Sequence, residues 1–166
     1  MPELRVNGVV EESIVDGPGL RFVIFTQGCP RNCPGCHNPE THAPSGGRLT
    51  STEALLGQFR QNPLLSGITF SGGEPFEQAA PLAELAREVH LLGKSVVIYT
   101  GYTLEELHEL AHRDQARGEL LAQADLLIDG PYVQHLRDLD LPHRGSGNQR
   151  ILDKKAIRAA GPFPVA

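Results

Sequence analysis

Leu20-Arg21-Phe22-Val23-Ile24-Phe25-Thr26, followed after Gln27 by Gly28-Cys29-Pro30-Arg31-Asn32-Cys33-Pro34-Gly35-Cys36-His37, is the stretch whose reading decides the fold. Its first half is β-branched and aromatic, the composition of a buried strand. Its second half holds all three cysteines of the chain in a loop rich in proline and glycine. A strand that empties into a loop of metal-type ligands puts chemistry at a strand C-terminus, as α/β barrels and open α/β sheets do.

Three thiolates in one loop are soft ligands suited to an iron–sulfur cluster, zinc or copper(I). No fourth cysteine exists, so a four-iron cluster would keep one iron open to a non-protein ligand. Three other readings use the same residues. A disulfide would have to close across three or two intervening residues and would leave a thiol over. A structural zinc site would need His37 or His42 as fourth ligand, whereas the common zinc spacing sets two close pairs far apart. Unliganded buried cysteines would have Pro30, Arg31, Asn32 and Pro34 for company, which suits a packed core badly.

Outward from this stretch, residues 1–19 read as a polar, turn-rich N-terminal extension, with Asp16-Gly17-Pro18-Gly19 as a tight turn. Asn38 to Arg48 reads as a long loop. Thr50 with Glu53 forms a capping box, opening a helix with an Ala54, Leu55 and Phe59 stripe that stops before Pro63. Ile68 to Phe70 is a short strand running into Ser71-Gly72-Gly73-Glu74-Pro75. There the glycines allow close backbone approach to a ligand, and Glu74 offers an acceptor for an ammonium group. The same residues also read as a plain turn.

Leu82 to Leu92 carries a helical stripe closed by Gly93, and Ser95 to Thr100 is another buried strand. Thr103 with Glu106 makes a second capping box before Leu104, Leu107 and Leu110. Ala124 to Ile128 is a strand ending at Asp129-Gly130, Gln149 to Leu152 a last strand, and residues 161–166 a loose C-terminal tail. Alternating strands and helices imply a parallel sheet with right-handed crossovers. A full eight-fold barrel takes about 250 residues. The 166 residues therefore suit a single domain, an α/β fold that is a partial, open TIM-like β/α barrel with a mostly parallel sheet.

A net charge of −5 without a basic cluster argues against nucleic acid as a partner. No apolar run approaches the roughly 20 residues of a membrane helix, and the N-terminus lacks a signal-peptide pattern. The expected location is the cytoplasm, where thiols stay reduced.

Cys29-x-x-x-Cys33-x-x-Cys36 resembles the signature of the radical S-adenosylmethionine enzymes, and Gly72-Gly73-Glu74 at a later strand end resembles their Gly-Gly-Glu motif. Within that superfamily three stretches are similar to the activating enzymes of anaerobic ribonucleotide reductase. They are Asp16-Gly17-Pro18-Gly19, Thr100-Gly101-Tyr102 with Leu104-Glu105-Glu106-Leu107, and Asp129-Gly130 through Val133-Gln134 to Arg144-Gly145-Ser146 and Asn148-Gln149-Arg150. The resemblance spans about Val15 to Asp153. Gly35 stands where many members of the superfamily have an aromatic residue, and His37 where this branch often has Tyr or Phe.

The resemblance implies a [4Fe–4S] cluster on Cys29, Cys33 and Cys36 whose open iron chelates S-adenosyl-L-methionine. It places Ser71, Gly72, Gly73 and Glu74 at the methionine end of that cofactor, Gly35 and His37 beside the adenosine, and Thr100 and Asp129 among the contacts. It implies reductive cleavage driven by flavodoxin or a similar low-potential donor. The resulting 5′-deoxyadenosyl radical would take hydrogen from a glycine of the large subunit of anaerobic ribonucleoside-triphosphate reductase. Another glycyl-radical enzyme of the pyruvate formate-lyase type, or a small molecule such as a deazapurine precursor, is the alternative target. A non-enzymatic zinc or iron–sulfur module is the alternative of a different class. Asp129 and the Arg144–Arg150 loop, read without the resemblance, fit solvated loop residues as well as ligand contacts.

Overall fold

The computed structural model describes residues 2–31, 39–138 and 140–159. Gly35, His37, Cys33 and Cys36 lie outside the described residues, as does the tail from Gly161.

The strand read at Leu20–Thr26 is β2 (Arg21–Thr26), an interior strand of a mixed sheet. On one side of it β4 (Gly67–Gly72), β5 (Ser95–Tyr99) and β6 (Leu126–Asp129) follow in parallel register. On the other side β1 (Glu3–Ser13) and then β3 (Arg48–Ser51) pair antiparallel, and β7 (Arg150–Asp153) closes the far edge antiparallel to β6. The order β3-β1-β2-β4-β5-β6-β7 leaves the end strands unpaired with each other, so the sheet is open. The parallel arrangement read from the alternation of elements holds for the four central strands, while both flanks turn antiparallel.

Helices α1 (Thr52–Arg60), α2 (Ala79–Leu91), α3 (Leu104–Arg113) and α4 (Gln115–Gln123) complete the crossovers, and α5 (Lys154–Ala159) follows β7. Strand periodicity sends Phe22, Ile24, Ile68, Phe70, Val96, Ile98 and Leu127 to one face, where they meet Leu55, Phe59, Leu82, Leu85, Val89, Leu107 and Leu120 in one core. The expected Thr103–Glu106 capping box is present, and Gly93 ends α2 with φ 74°. Gly93 N–H donates to His90 and Lys94 N–H to Val89, the Schellman pattern.

Residues 1–19 are not simply an extension, because they contain β1. Only Leu4 and Val6 begin an alternation there, and register breaks between Val6 and Gly8 and between Val10 and Ser13 then shift the pattern. Thr50 does not cap α1 either; it pairs with Leu4 in β3, and Ser51 Oγ accepts from Ala54 N–H at 3.0 Å instead. Helix α4 escapes a periodicity reading because Gly118, Leu120 and Leu121 are buried without an extended stripe.

The opposite face of the central strands carries Val23, Thr69, Val97 and Ile128, all buried. The Asp16–Gly19 turn folds across its lower end. Gly17, at φ 122°, lies where a Cβ would press on Arg21 Cδ and Val97. Arg21 is 1% exposed and donates to Thr69 Oγ1 (2.9 Å), the Pro18 carbonyl (3.0 Å), Ser95 Oγ (3.0 Å) and the Ile68 and Ser95 carbonyls (2.9 and 3.0 Å). One guanidinium thus ties the starts of β2, β4 and β5 and seals the floor. Burial lowers its pKa to about 10, which still leaves it charged at neutral pH. Among the described residues no helix is long and apolar enough to cross a membrane.

Candidate functional site

At the other end of the sheet the strands open into a cleft of about 240 Å³. Its walls come from successive strand ends: Cys29 after β2, Ser71 to Glu74 at β4, Tyr99 to Gly101 at β5, Gly130 and Tyr132 after β6, and Gly145 and Gln149 before β7. Asp16, Arg31 and His42 complete the lining. Sites at strand C-termini are where a parallel β/α sheet places its chemistry.

The two motifs read from sequence meet through their backbones. Gly73 N–H donates to the Thr26 carbonyl and Glu74 N–H to the Gly28 carbonyl, each at 2.8 Å. Thr26 Oγ1 adds a bond to the Ser71 carbonyl at 3.0 Å. A Cβ on Gly72, at φ 94°, would lie 2.5 Å from Thr26 N, and one on Gly73 would strike the Gly28 carbonyl oxygen. The pair of glycines is therefore required for docking the cysteine-loop stem as well as for leaving room above it.

The stem is braced from its other side too. Gly28 N–H reaches the Thr41 carbonyl (2.6 Å) and Cys29 N–H the His42 carbonyl (3.0 Å). Gln27, 4% exposed, donates from Nε2 to the Glu40 and Ala43 carbonyls at 2.9 and 2.6 Å. Gln27 was invisible as a site residue in the sequence, since a single amide at a strand end carries no motif. Its role exists only because the chain returns alongside it.

Glu74 is 1% exposed, and its carboxylate is engaged by the protein itself. Oε2 accepts from Thr100 Oγ1 (2.8 Å) and Phe76 N–H (3.2 Å), and Oε1 from Gly101 N–H (2.7 Å). Burial raises its pKa to about 7 against the opposing pull of these three donors. The geometry makes Glu74 a brace between the turns after β4 and β5, with Thr100 its partner. It still lines the cleft, with Oε1 accepting a single bond among the described residues, from Gly101.

Arg31, on the cysteine loop, stacks over the Tyr102 ring at 4.7 Å and bonds Glu106 at 3.2 Å, fastening that loop to the start of α3. Tyr102 in turn donates from its hydroxyl to Glu77 Oε1 at 2.6 Å.

Asp129, 1% exposed, is outside the cleft lining. Oδ2 accepts from Leu104 N–H at 2.8 Å, capping α3, and Arg150 bonds both carboxylate oxygens. Arg150 also bonds Glu105 at 2.9 Å. Its neighbour Gly130 reaches the cleft in its place. The Arg144–Arg150 loop is ordered by its own amides, with Gly145 and Ser146 N–H on Gln149 Oε1 (2.8 and 3.1 Å) and Asn148 Nδ2 on the Pro131 carbonyl (2.8 Å). It contributes cleft wall, which the polar composition alone did not distinguish from a solvated loop.

Of the expected site residues, Cys29, Ser71, Gly72, Gly73, Glu74 and Thr100 come together at this cleft. The arrangement is that of an iron–sulfur protein built on an open α/β sheet. The chain belongs to the 4Fe–4S single cluster domain family, whose model matches residues 15–152, and within it to the anaerobic ribonucleoside-triphosphate reductase-activating proteins. It is 33% identical over 156 residues to the activating protein of that name from Salmonella typhi, covering 89% of this chain and 97% of the relative. It is 38% identical over 117 residues to the pyruvate formate-lyase-activating enzyme of Clostridium pasteurianum, covering 66% of this chain and 49% of that one. The crystal structure of QueE from Escherichia coli superposes with TM-score 0.49 at 22% identity, over 61% of this chain and 54% of that chain.

Proposed function

We propose that this protein is a glycyl-radical activating enzyme acting on an anaerobic ribonucleoside-triphosphate reductase, with Cys29, Cys33 and Cys36 holding its [4Fe–4S] cluster and S-adenosyl-L-methionine as cosubstrate. The observation that carries the reading is the backbone lock between the Cys29 stem and the Gly72–Glu74 turn at one open cleft. That lock brings Cys29 and a glycine-rich rim side by side at the ends of neighbouring parallel strands.

The residues fit such a cofactor. Cys29 supplies a soft ligand at the cleft, Gly72 and Gly73 leave backbone within reach of a ligand, and Asp16 and Arg31 offer an acceptor and a donor for an ammonium and a carboxylate. When bound, the cluster and S-adenosyl-L-methionine supply reductive sulfonium cleavage and hydrogen-atom abstraction from a glycine. The chain's own part is placement. Glu74 and Thr100 hold the glycine rim in register and Asp129 anchors the start of α3, while the resemblance would put Gly35 and His37, outside the described residues, beside the adenosine. Among the described residues the cleft is open above the strand ends, which suits a macromolecular substrate inserting a backbone loop. Flavodoxin or a similar low-potential donor supplies the electron.

Electron paramagnetic resonance tests this directly. Anaerobically reconstituted, reduced protein with S-adenosyl-L-methionine and the reductase of its own organism is expected to give a glycyl-radical doublet that Cys33→Ala abolishes. A silent spectrum with 5′-deoxyadenosine still released would move the target to a pyruvate formate-lyase-type enzyme, the second reading that the Clostridium relative favours. Iron-free protein holding one zinc would overturn the reading.

A further inference from the structure

His42 sits opposite Cys29 by construction. Its carbonyl accepts from Cys29 N–H at 3.0 Å, the preceding Thr41 carbonyl accepts from Gly28 N–H at 2.6 Å, and its own N–H reaches the Pro39 carbonyl at 3.2 Å. These bonds lay residues 41–42 alongside 28–29 as a short ladder. His42 lines the main cleft, and it also lines a second cavity behind the cysteine stem, bounded by Arg5, Gln27, Pro44 and Gln78. Cys29 lines both cavities as well.

Within this setting His42 Nε2 is buried and has no hydrogen-bond partner among the described residues. A buried polar nitrogen left unsatisfied is costly, and such a group at cavities that Cys29 also lines points to a partner that arrives with a ligand of Cys29. A cluster of thiolates and sulfides offers acceptors only, so it selects the imidazole tautomer with hydrogen on Nε2.

We propose that His42 donates a hydrogen bond from Nε2 to the iron–sulfur cluster that Cys29 helps to hold, and so raises the cluster's reduction potential. The proposal rests on the cluster assignment made above. His42 acts here as a tuning residue beside the ligands: the N–H dipole stabilises the more negative, reduced state more than the oxidised one. It serves the neutral imidazole and requires no change of protonation.

The test is a redox titration of the anaerobically reconstituted full chain, followed by the paramagnetic signal of the reduced cluster, in the unaltered protein, His42→Phe and His42→Gln. Phe keeps a planar ring without a donor, and Gln keeps an N–H. The expected result is a midpoint shifted to more negative potential in His42→Phe, with His42→Gln lying between it and the unaltered protein. An unshifted midpoint in His42→Phe at full iron and sulfide content overturns the proposal. Should the Phe ring not be accommodated, His42→Ala carries the same expectation, and an unshifted midpoint there overturns it equally. Unaltered protein that takes up no iron and sulfide would overturn the cluster assignment itself.

Discussion

The floor and the mouth of this sheet each hold one buried charge that cross-links strand ends, yet they are built to different ends. At the floor Arg21 spends its donors on neutral oxygens from the Pro18 turn, β4 and β5, and that end is sealed by the Asp16–Gly19 turn. At the mouth Glu74 is satisfied just as fully, by Thr100, Phe76 and Gly101, but two nitrogens of the cleft-lining residues Arg31 and His42, Nε and Nε2, are buried without partners among the described residues. Complete satisfaction at one end and selective incompleteness at the other separate stability from binding, as the two ends of a β/α barrel do. The choice of ion matters as well. A guanidinium keeps its charge after burial, whereas burial pushes the Glu74 carboxyl up to about 7.

The largest test of this contrast is Arg21→Leu. It should leave the Pro18, Ile68 and Ser95 carbonyls buried without their donor and lower the unfolding free energy by on the order of 3–5 kcal/mol, read from urea denaturation of the metal-free chain. A loss no larger than that of an exposed substitution would show that the floor is held by apolar packing alone.

Glu74 makes a pH-dependent counterpart. Burial raises its folded pKa to about 7 from the ordinary carboxyl value of 4.5, so between those values the folded state holds more protons than the unfolded one. Stability should therefore fall as pH rises through that window and level off above it, by roughly 3 kcal/mol in all. Glu74→Gln should remove that slope, and subtracting its pH–stability curve from that of the unaltered protein isolates it. Parallel curves would mean that Glu74 is ionised throughout and that its three donors outweigh burial.

A smaller effect is expected at Gly72→Ala, where a side chain at positive φ would press on the Thr26 backbone. A cost of roughly 2 kcal/mol by urea denaturation, together with reduced iron uptake, would tie the glycine to seating the cysteine stem. Unchanged stability with lost S-adenosyl-L-methionine binding would instead assign it to the ligand alone.

Much of this was legible before any coordinates, wherever the signal is local. Three cysteines in one loop, two glycines before a glutamate, the Thr103–Glu106 box and the apolar strand runs are each fixed by neighbours a few residues away, and each stands where its pattern places it, apart from the two cysteines beyond the described residues. Non-local partners were not legible. Strand β1 shows little alternation because bulges interrupt it, β3 is too short to announce itself, and Ser51 outcompetes Thr50 as a cap only because Thr50 is drawn into a strand.

The carboxylates show the limit most clearly. Type and position make Glu74 and Asp129 look like ligand contacts, and only the tertiary structure reveals the protein partners they also hold, Thr100 and Gly101 for the one, Leu104 and Arg150 for the other. By itself the sequence pointed to an iron–sulfur protein and determined the alternating α/β architecture and the two motifs at strand ends, because residue type and short spacing carry those. The fold alone decided which polar groups are spent on the protein and which, like His42 Nε2, have no partner among the described residues. Hydrogen-bond satisfaction depends on groups many tens of residues apart, and no local pattern encodes it.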